Sequence, residues 1–386
     1  MEDHRESSDM KGDPNREISA TGDIILVVGA PDSEDPQLRL RVQSTILREA
    51  STVFRTMLSP PWVESQGISA ENPKEIQLPE DEPKAMEVVC LALHFRNNLM
   101  NPHWLEEQGG QRMLHVAILI DKYDLKAPMK LITDIWFRQS MGCITEESIY
   151  RMAAAWTLEE EKFFAQYSWI VMITYPGPYA KLLSDEPFRE RLPPQIFFLL
   201  AERSSNLRIR FLDSVCREAG FDRGRMACDS TRDCNCEWKK SLQSRFRPIW
   251  ERLTQHSTSQ EPICSILSII DELIPLAEEQ KVLQKSWCND IEQVHNEKIW
   301  NPNFCTRFDW SGSTIFSRLP EWMERETSLC LRCLREDESR GDYIYSRNNL
   351  LCEHSKSRQL GSTGSAMNLL GKRDTQDDDR DGRAPA

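Results

Sequence analysis

Between Leu38 and Leu93 the chain passes from strand to helix and back with hardly a residue to spare, which leaves few folds open to it. Leu38, Leu40 and Val42 alternate with Arg39, Arg41 and Gln43, the period of a half-buried strand. Ser44 follows at once and is placed to cap a helix carrying Ile46 and Leu47; Ser51 is placed to cap the next, carrying Val53, Phe54, Met57 and Leu58. Pro60-Pro61 ends that helix. Glu75 to Leu78 reads as another short strand, and Asp81-Glu82 before Pro83 opens a helix with Met86, Val89, Cys90 and Leu93 at helical spacing. Short strands among helices place the stretch in the α/β class, in the α+β sense. Phe54, Leu58, Val89, Leu93, Val116, Ile120 and Tyr123 are the core residues expected between 22 and 140.

This order resembles the BTB/POZ domain, a protein-interaction fold. Five stretches carry the resemblance, over about residues 22 to 140. Gly22-Asp23 with Ile24 to Val28 is similar to the family's opening strand, and a small polar residue joins strand to helix at Ser44. Ala50-Ser51-Thr52-Val53-Phe54 is similar to its Ala-Ser-x-x-Phe segment, and Glu75 to Leu78 to the strand that ends at an acidic loop. Leu119 to Leu125, with Asp121-Lys122-Tyr123, is similar to its Ala-Asp-Lys-Tyr helix end. The helical remainder resembles the fungal group of divergent BTB proteins. For that group the resemblance implies a binding module, and for residues 22 to 140 it implies an α/β unit in which a small sheet of Ile24–Val28, Leu38–Gln43 and Glu75–Leu78 is clad by five helices.

In BTB adaptors of cullin-RING ubiquitin ligases, an apolar-x-Glu triplet follows the second helix, and here Trp62-Val63-Glu64 occupies that place. The resemblance implies that Trp62 packs on the cullin while Glu64 orders the loop, with Phe54 counted beside them on the partner-facing side. Trp suits such a role, offering a large apolar area with one donor and little rotamer entropy. The other reading leaves Trp62 folded over Phe54 and Met57 with Glu64 in solvent.

Along the rest of the chain, residues 1–20 are charged and nearly free of large apolar groups, and read as a disordered tail before a domain at 21–140. Asn97 to Gly110 is rich in structure breakers, and the helical period resumes from Gln111. After Pro128, Ile132, Ile135 and Trp136 are expected to face inward. Residues 141–220 read as a helical extension, with Pro193-Pro194 opening one helix and Leu207 to Arg217 forming another. A hinge at Gly220 to Gly224 precedes a helical, cysteine-containing region at 225–353, and 354–386 reads as a disordered tail.

Lys+Arg of 48 against Asp+Glu of 61 gives a formal net charge of -13, which disfavours unassisted phosphate-backbone binding. No apolar run has the length of a membrane span, Met1 to Ala20 is not a signal peptide, and twelve cysteines without an export signal point to reduced thiols in an intracellular protein, cytoplasmic or nuclear. The eleven tryptophans recur among Leu and Ile at helical spacing, as core residues do. Cys330, Cys333, Cys352 and His354 have the donor types and short spacings of a structural zinc site; ordinary reduced thiols are the other reading, and no further cofactor is expected. None of the nucleotide, hydrolase or metalloprotease motifs occurs, so no enzyme is expected. Two functions remain: a protein-interaction scaffold, in its sharpest form a cullin-ligase substrate adaptor, and a nuclear co-regulator that self-associates through its BTB domain. The lack of a zinc-finger pattern or basic helix favours the first.

Overall fold

The computed structural model describes residues 15–32, 37–100, 104, 109–140, 147–218, 265–266 and 329–340. They fall in two compact units, residues 1–141 with 153–159, and residues 142–152 with 160–386.

In the first unit β1 (Asn15–Glu17), β2 (Ile24–Val28), β3 (Leu38–Val42) and β4 (Lys74–Leu78) form a mixed sheet in the order β1-β3-β2-β4. β2 runs antiparallel to β3, pairing Leu26 with Leu40, and parallel to β4, pairing Leu26 with Ile76. Leu38, Leu40 and Val42 are buried while Arg39 and Arg41 stand half-exposed on the other face, as the alternation requires. There Arg39 pairs with Glu75, and Arg41 donates to the carbonyls of Gly22 and Ala70 at 3.0 Å. The helices are α1 (Ser44–Ala50), α2 (Thr52–Met57), α3 (Pro83–Leu93), α4 (Gly109–Lys122) and α5 (Lys126–Ser140).

Each join has a local cause. Ser51 accepts from the Phe54 amide at 2.9 Å and so caps α2. Glu82 accepts from the amides of Lys84 and Ala85 at the start of α3, with Pro83 at the first helical position. Ser44, expected to cap α1, does not: Gln43 is the N-cap residue, and Ser44 lies inside the helix. The cap comes from elsewhere. The Asp23 carboxylate accepts from the Ser44 amide at 2.7 Å and from its hydroxyl at 2.6 Å, placing a negative charge at the helix N-terminus. Gly22, next to it, has no room for a side chain, because a Cβ would stand 2.9 Å from the backbone of Val42.

Two expectations about the chain ends of this unit need correction. The tail at 1–20 is not structureless throughout, since β1 pairs in parallel with β3 and Ile18 is buried. The amides of Ile18 and Ser19 both donate to the Arg41 carbonyl at 3.1 Å. An apolar residue, an open strand edge and the Arg16–Glu87 ion pair at 3.1 Å hold this segment, and charge-rich composition hides them. On α5, Trp136 is buried, but Ile132 is only half-buried and Ile135 is exposed.

The expected core is otherwise where the pattern puts it, with Phe54, Leu58, Val89, Leu93, Val116, Ile120 and Tyr123 all buried. The rings of Phe54 and Tyr123 stack at 4.4 Å between centroids, 3° from parallel. Tyr123 also donates its hydroxyl to Asp81, whose carboxylate takes a second bond from the Lys122 ammonium at 2.7 Å. The Tyr123 main chain is tied as well, its carbonyl accepting from Ser51 Oγ at 2.5 Å. Burial, and then the bond to Asp81, push the Tyr123 phenol well above its ordinary range, so it remains a donor.

The second unit is helical: α6 (Ser148–Thr157, divided between the units), α7 (Glu161–Thr174), α8 (Glu186–Arg189), α9 (Pro194–Glu218) and α10 (Leu331–Arg340). In α7 Phe163, Phe164, Tyr167 and Ile170 are buried. The separate helices expected at Pro194 and Leu207 are one helix of 25 residues. The polar run Ser204-Ser205-Asn206 stays helical, with Ser205 Oγ bonding back to the Ala201 carbonyl at 2.8 Å and Ser204 Oγ reaching the Met172 carbonyl at 3.3 Å. Near α10 the Leu329 amide donates to Ser168 Oγ at 2.9 Å, and Arg332 donates twice to Glu161, at 2.7 and 3.0 Å.

Phe54→Ala should destabilise the first unit by roughly 3–5 kcal/mol, the range for deleting a buried aromatic side chain. Urea unfolding followed by tryptophan fluorescence and circular dichroism measures it, and a loss below about 1 kcal/mol would contradict the stacked core.

Candidate functional site

Two features of the first unit present large apolar groups to solvent. The first follows α2. After the Ser59 amide has bonded back to the Thr56 carbonyl at 3.2 Å, Val63–Ser65 makes one 3-10 turn with Trp62 as its N-cap residue. Ser65 Oγ donates to the Trp62 carbonyl at 2.7 Å. The Lys74 ammonium, at the start of β4, donates to the carbonyl of Val63 and, at 2.9 Å, to that of Gln66. A cation on the carbonyl end of the turn fixes it to the sheet. Gly67 closes the turn at φ +73°, with open space around it. Trp62 is 55 % exposed and Val63 68 %, while Glu64 is half-buried. Trp62 therefore does not lie sealed over Phe54 and Met57. Phe54 itself does not belong to this surface: expected on the partner-facing side, it is fully buried in the stack with Tyr123.

The second feature is a groove of about 570 Å³ between α1, the end of α3 and α5. Ile46, Leu93, Phe95, Leu131, Ile132 and Ile135 supply most of its apolar lining, and Glu49 is its charged residue. Phe95 is 85 % exposed and Leu131 76 %. α3 ends with the Arg96 amide on the Leu91 carbonyl at 2.8 Å and Phe95 at φ +58°, the left-handed end turn that glycine usually makes. A left-handed aromatic residue costs about 1–2 kcal/mol. The chain holds this ring in water in spite of that cost.

His94, one residue earlier, is 8 % exposed. Its Nδ1 lies 2.8 Å from the Cys90 carbonyl, and its Nε2 accepts from the Gln43 amide at 3.0 Å. Burial lowers its pKa from the ordinary value. Burial likewise pushes the Cys90 thiol up to about 12, which leaves it unreactive near neutral pH.

For the expected zinc ligands, Cys330 is buried just before α10 and Cys333 is half-buried one turn later, so the two share a helix face. Cys352 and His354 lie outside the described residues. Among the described residues no group of three or more Cys, His, Asp or Glu side chains is placed to hold a metal ion, and no helix is long and apolar enough to cross a membrane.

The sequence pattern singled out Trp62 and Glu64 but neither Lys74 nor the groove. No sequence period marks Lys74, whose role comes from the β4 start lying beside the turn. For the groove the signal was an aromatic residue directly after the end of an apolar helix. No protein-family model matches the chain, and no curated protein matches it.

Phe95→Gly should raise unfolding stability by about 1 kcal/mol, because glycine takes the left-handed end position without strain and the ring it removes is in water. Thermal and urea denaturation measure this, and a destabilised variant would mean that the ring packs on something.

Proposed function

We propose that the first unit is a BTB/POZ-type interaction module and that the chain is a non-enzymatic protein-interaction scaffold, docking partners through Trp62. In its sharpest form it is a substrate adaptor that binds a cullin. What supports the fold reading is the element order: two antiparallel strands, two short helices joined with hardly a linker, a strand parallel to the first of the pair, then three helices. What carries the functional reading is the Trp62 turn. A large aromatic residue stands more than half exposed on a segment that Lys74 already holds, so little entropy remains to be lost when a partner covers it. Glu64 in the same turn supplies an acid beside the apolar contact.

The test is binding of the purified full chain to the N-terminal domain of a cullin by calorimetry. Trp62→Ala should weaken binding roughly tenfold or more, as loss of an interface anchor does, with the melting temperature nearly unchanged. Equal affinity of wild type and Trp62→Ala would remove the adaptor reading. The groove supports the second reading, a co-regulator that self-associates through this unit. If that reading holds, the chain sediments as a dimer and Leu131→Glu, at an exposed position, returns it to a monomer.

A further inference from the structure

His94 is the only described side chain that bonds the α3 end to the strand–helix junction before α1. The bond has a fixed polarity. The Gln43 backbone N–H can only donate, so Nε2 must be the bare, accepting nitrogen. Nδ1 then carries the proton and donates it to the Cys90 carbonyl. The fold thus selects one neutral tautomer. A second proton on Nε2 would set N–H against N–H at the Gln43 amide and leave that amide without an acceptor, in a place with little water.

The two ends that this ring joins are two walls of the groove. Gln43 is the N-cap residue of α1, which supplies Thr45, Ile46, Glu49 and Ala50. His94 is followed at once by Phe95 and Asn97, which also line it. We propose that His94 is a proton-sensitive latch: neutral, it holds α1 against the end of α3 and keeps Phe95 at the groove, and protonated, it releases them.

The other charged groups of the neighbouring elements are engaged elsewhere or face solvent. Arg96, two residues on, is the charge that acts on it, and it disfavours a second positive charge. Asp23 at the junction is taken up by Ser44, and Arg48 and Glu49 of α1 are exposed. On α5, Lys130 and Asp134 pair with each other at 2.9 Å; on α4, Arg112 is bonded to the Trp104 carbonyl. His115 of α4 is half-buried and is the unit's other described histidine. The sign follows from the lowered pKa of His94 in the folded chain. Above the ordinary histidine value of about 6.5 the latch contributes in full. As pH falls below that value the unfolded chain takes up the proton first, and the contribution is lost progressively down to the folded-state pKa. The latch does not depend on what Trp62 binds.

The experiment is hydrogen–deuterium exchange of the full chain at about pH 7.5 and about pH 5.5, with rates corrected to protection factors. Wild type should lose protection at lower pH in peptides covering residues 43–50 and 93–97, while β2 and α4 keep theirs. His94→Gln offers an amide oxygen to Gln43 without a titrating group and should abolish the pH dependence; His94→Phe should show low protection in both peptides at both pH values. In nitrogen-15 spectra the wild-type ring should be the Nδ1–H tautomer, with a titration midpoint below the ordinary value. Wild-type protection that does not change with pH would overturn the latch, even if neither variant folds. So would an Nε2–H tautomer, or a pH response that persists in His94→Gln.

Discussion

Two adjacent backbone amides, those of Gln43 and Ser44, are where the first unit is held together. Strand β3 becomes helix α1 there with a single residue between them, so no loop can bring in water or a local cap to satisfy these amides. Each is met by a side chain from a distant part of the chain: His94 takes the Gln43 amide and Asp23 takes that of Ser44. Asp23 ties the junction to the start of β2, and His94 ties it to the end of α3. An abrupt strand–helix join would leave orphan donors in a half-buried place, each worth about 1–3 kcal/mol if unpaired. Here the same donors fix the angle between sheet and helices.

A second knot does the corresponding work around Tyr123. Asp81 is an acid with almost no exposure, which is tolerable only because Tyr123 and Lys122 both donate to it. The stacked Phe54 and the Ser51 bond to the Tyr123 carbonyl bring α2 to the same point. The loop before α3, the end of α4 and the start of α2 are thus joined through one residue. Acid, phenol and amine together could suggest proton-transfer chemistry. Burial argues against that use, since it keeps the Tyr123 phenol protonated far above neutral pH.

Much of this unit was legible in the sequence, and for an identifiable reason. Leu38, Leu40 and Val42 on one side and Arg39 and Arg41 on the other can be sorted by a period of two, because that sheet face has helices on it and the other has water. Ser51 as a cap was legible because its acceptor role is local. Ser44 was misread because its partner Asp23 lies 21 residues away, and spacing carries no trace of such a bond. Ile135 was placed inward by a helical period that cannot tell a core from a groove. β1 left only Ile18 as an apolar signal, and its pairing of Arg16 with Glu87 spans too much chain to be seen in spacing. Trp62 and Glu64 were singled out through the resemblance alone; that Lys74 holds their turn left no trace in the sequence.

Two exposed aromatic rings of this unit, Trp62 and Phe95, stand apart from ordinary surface scatter. A lone surface Leu needs no account, since much of any protein surface is apolar. Trp62 and Phe95 differ, because the backbone is specifically arranged to display them. At Trp62 a lysine and a serine bind the carbonyls of the turn. At Phe95 a left-handed residue is accepted at a helix end where glycine would be easier. The left-handed backbone at Phe95 works against folding stability, while at Trp62 the bonds from Ser65 and Lys74 hold the turn, and both rings stay open to solvent. The two sites are built on different supports, one on the β4 start and the other on the α1–α3 junction. A proton reaching His94 would therefore loosen the groove and leave the Trp62 turn in place, so the unit can alter one apolar surface without giving up the other.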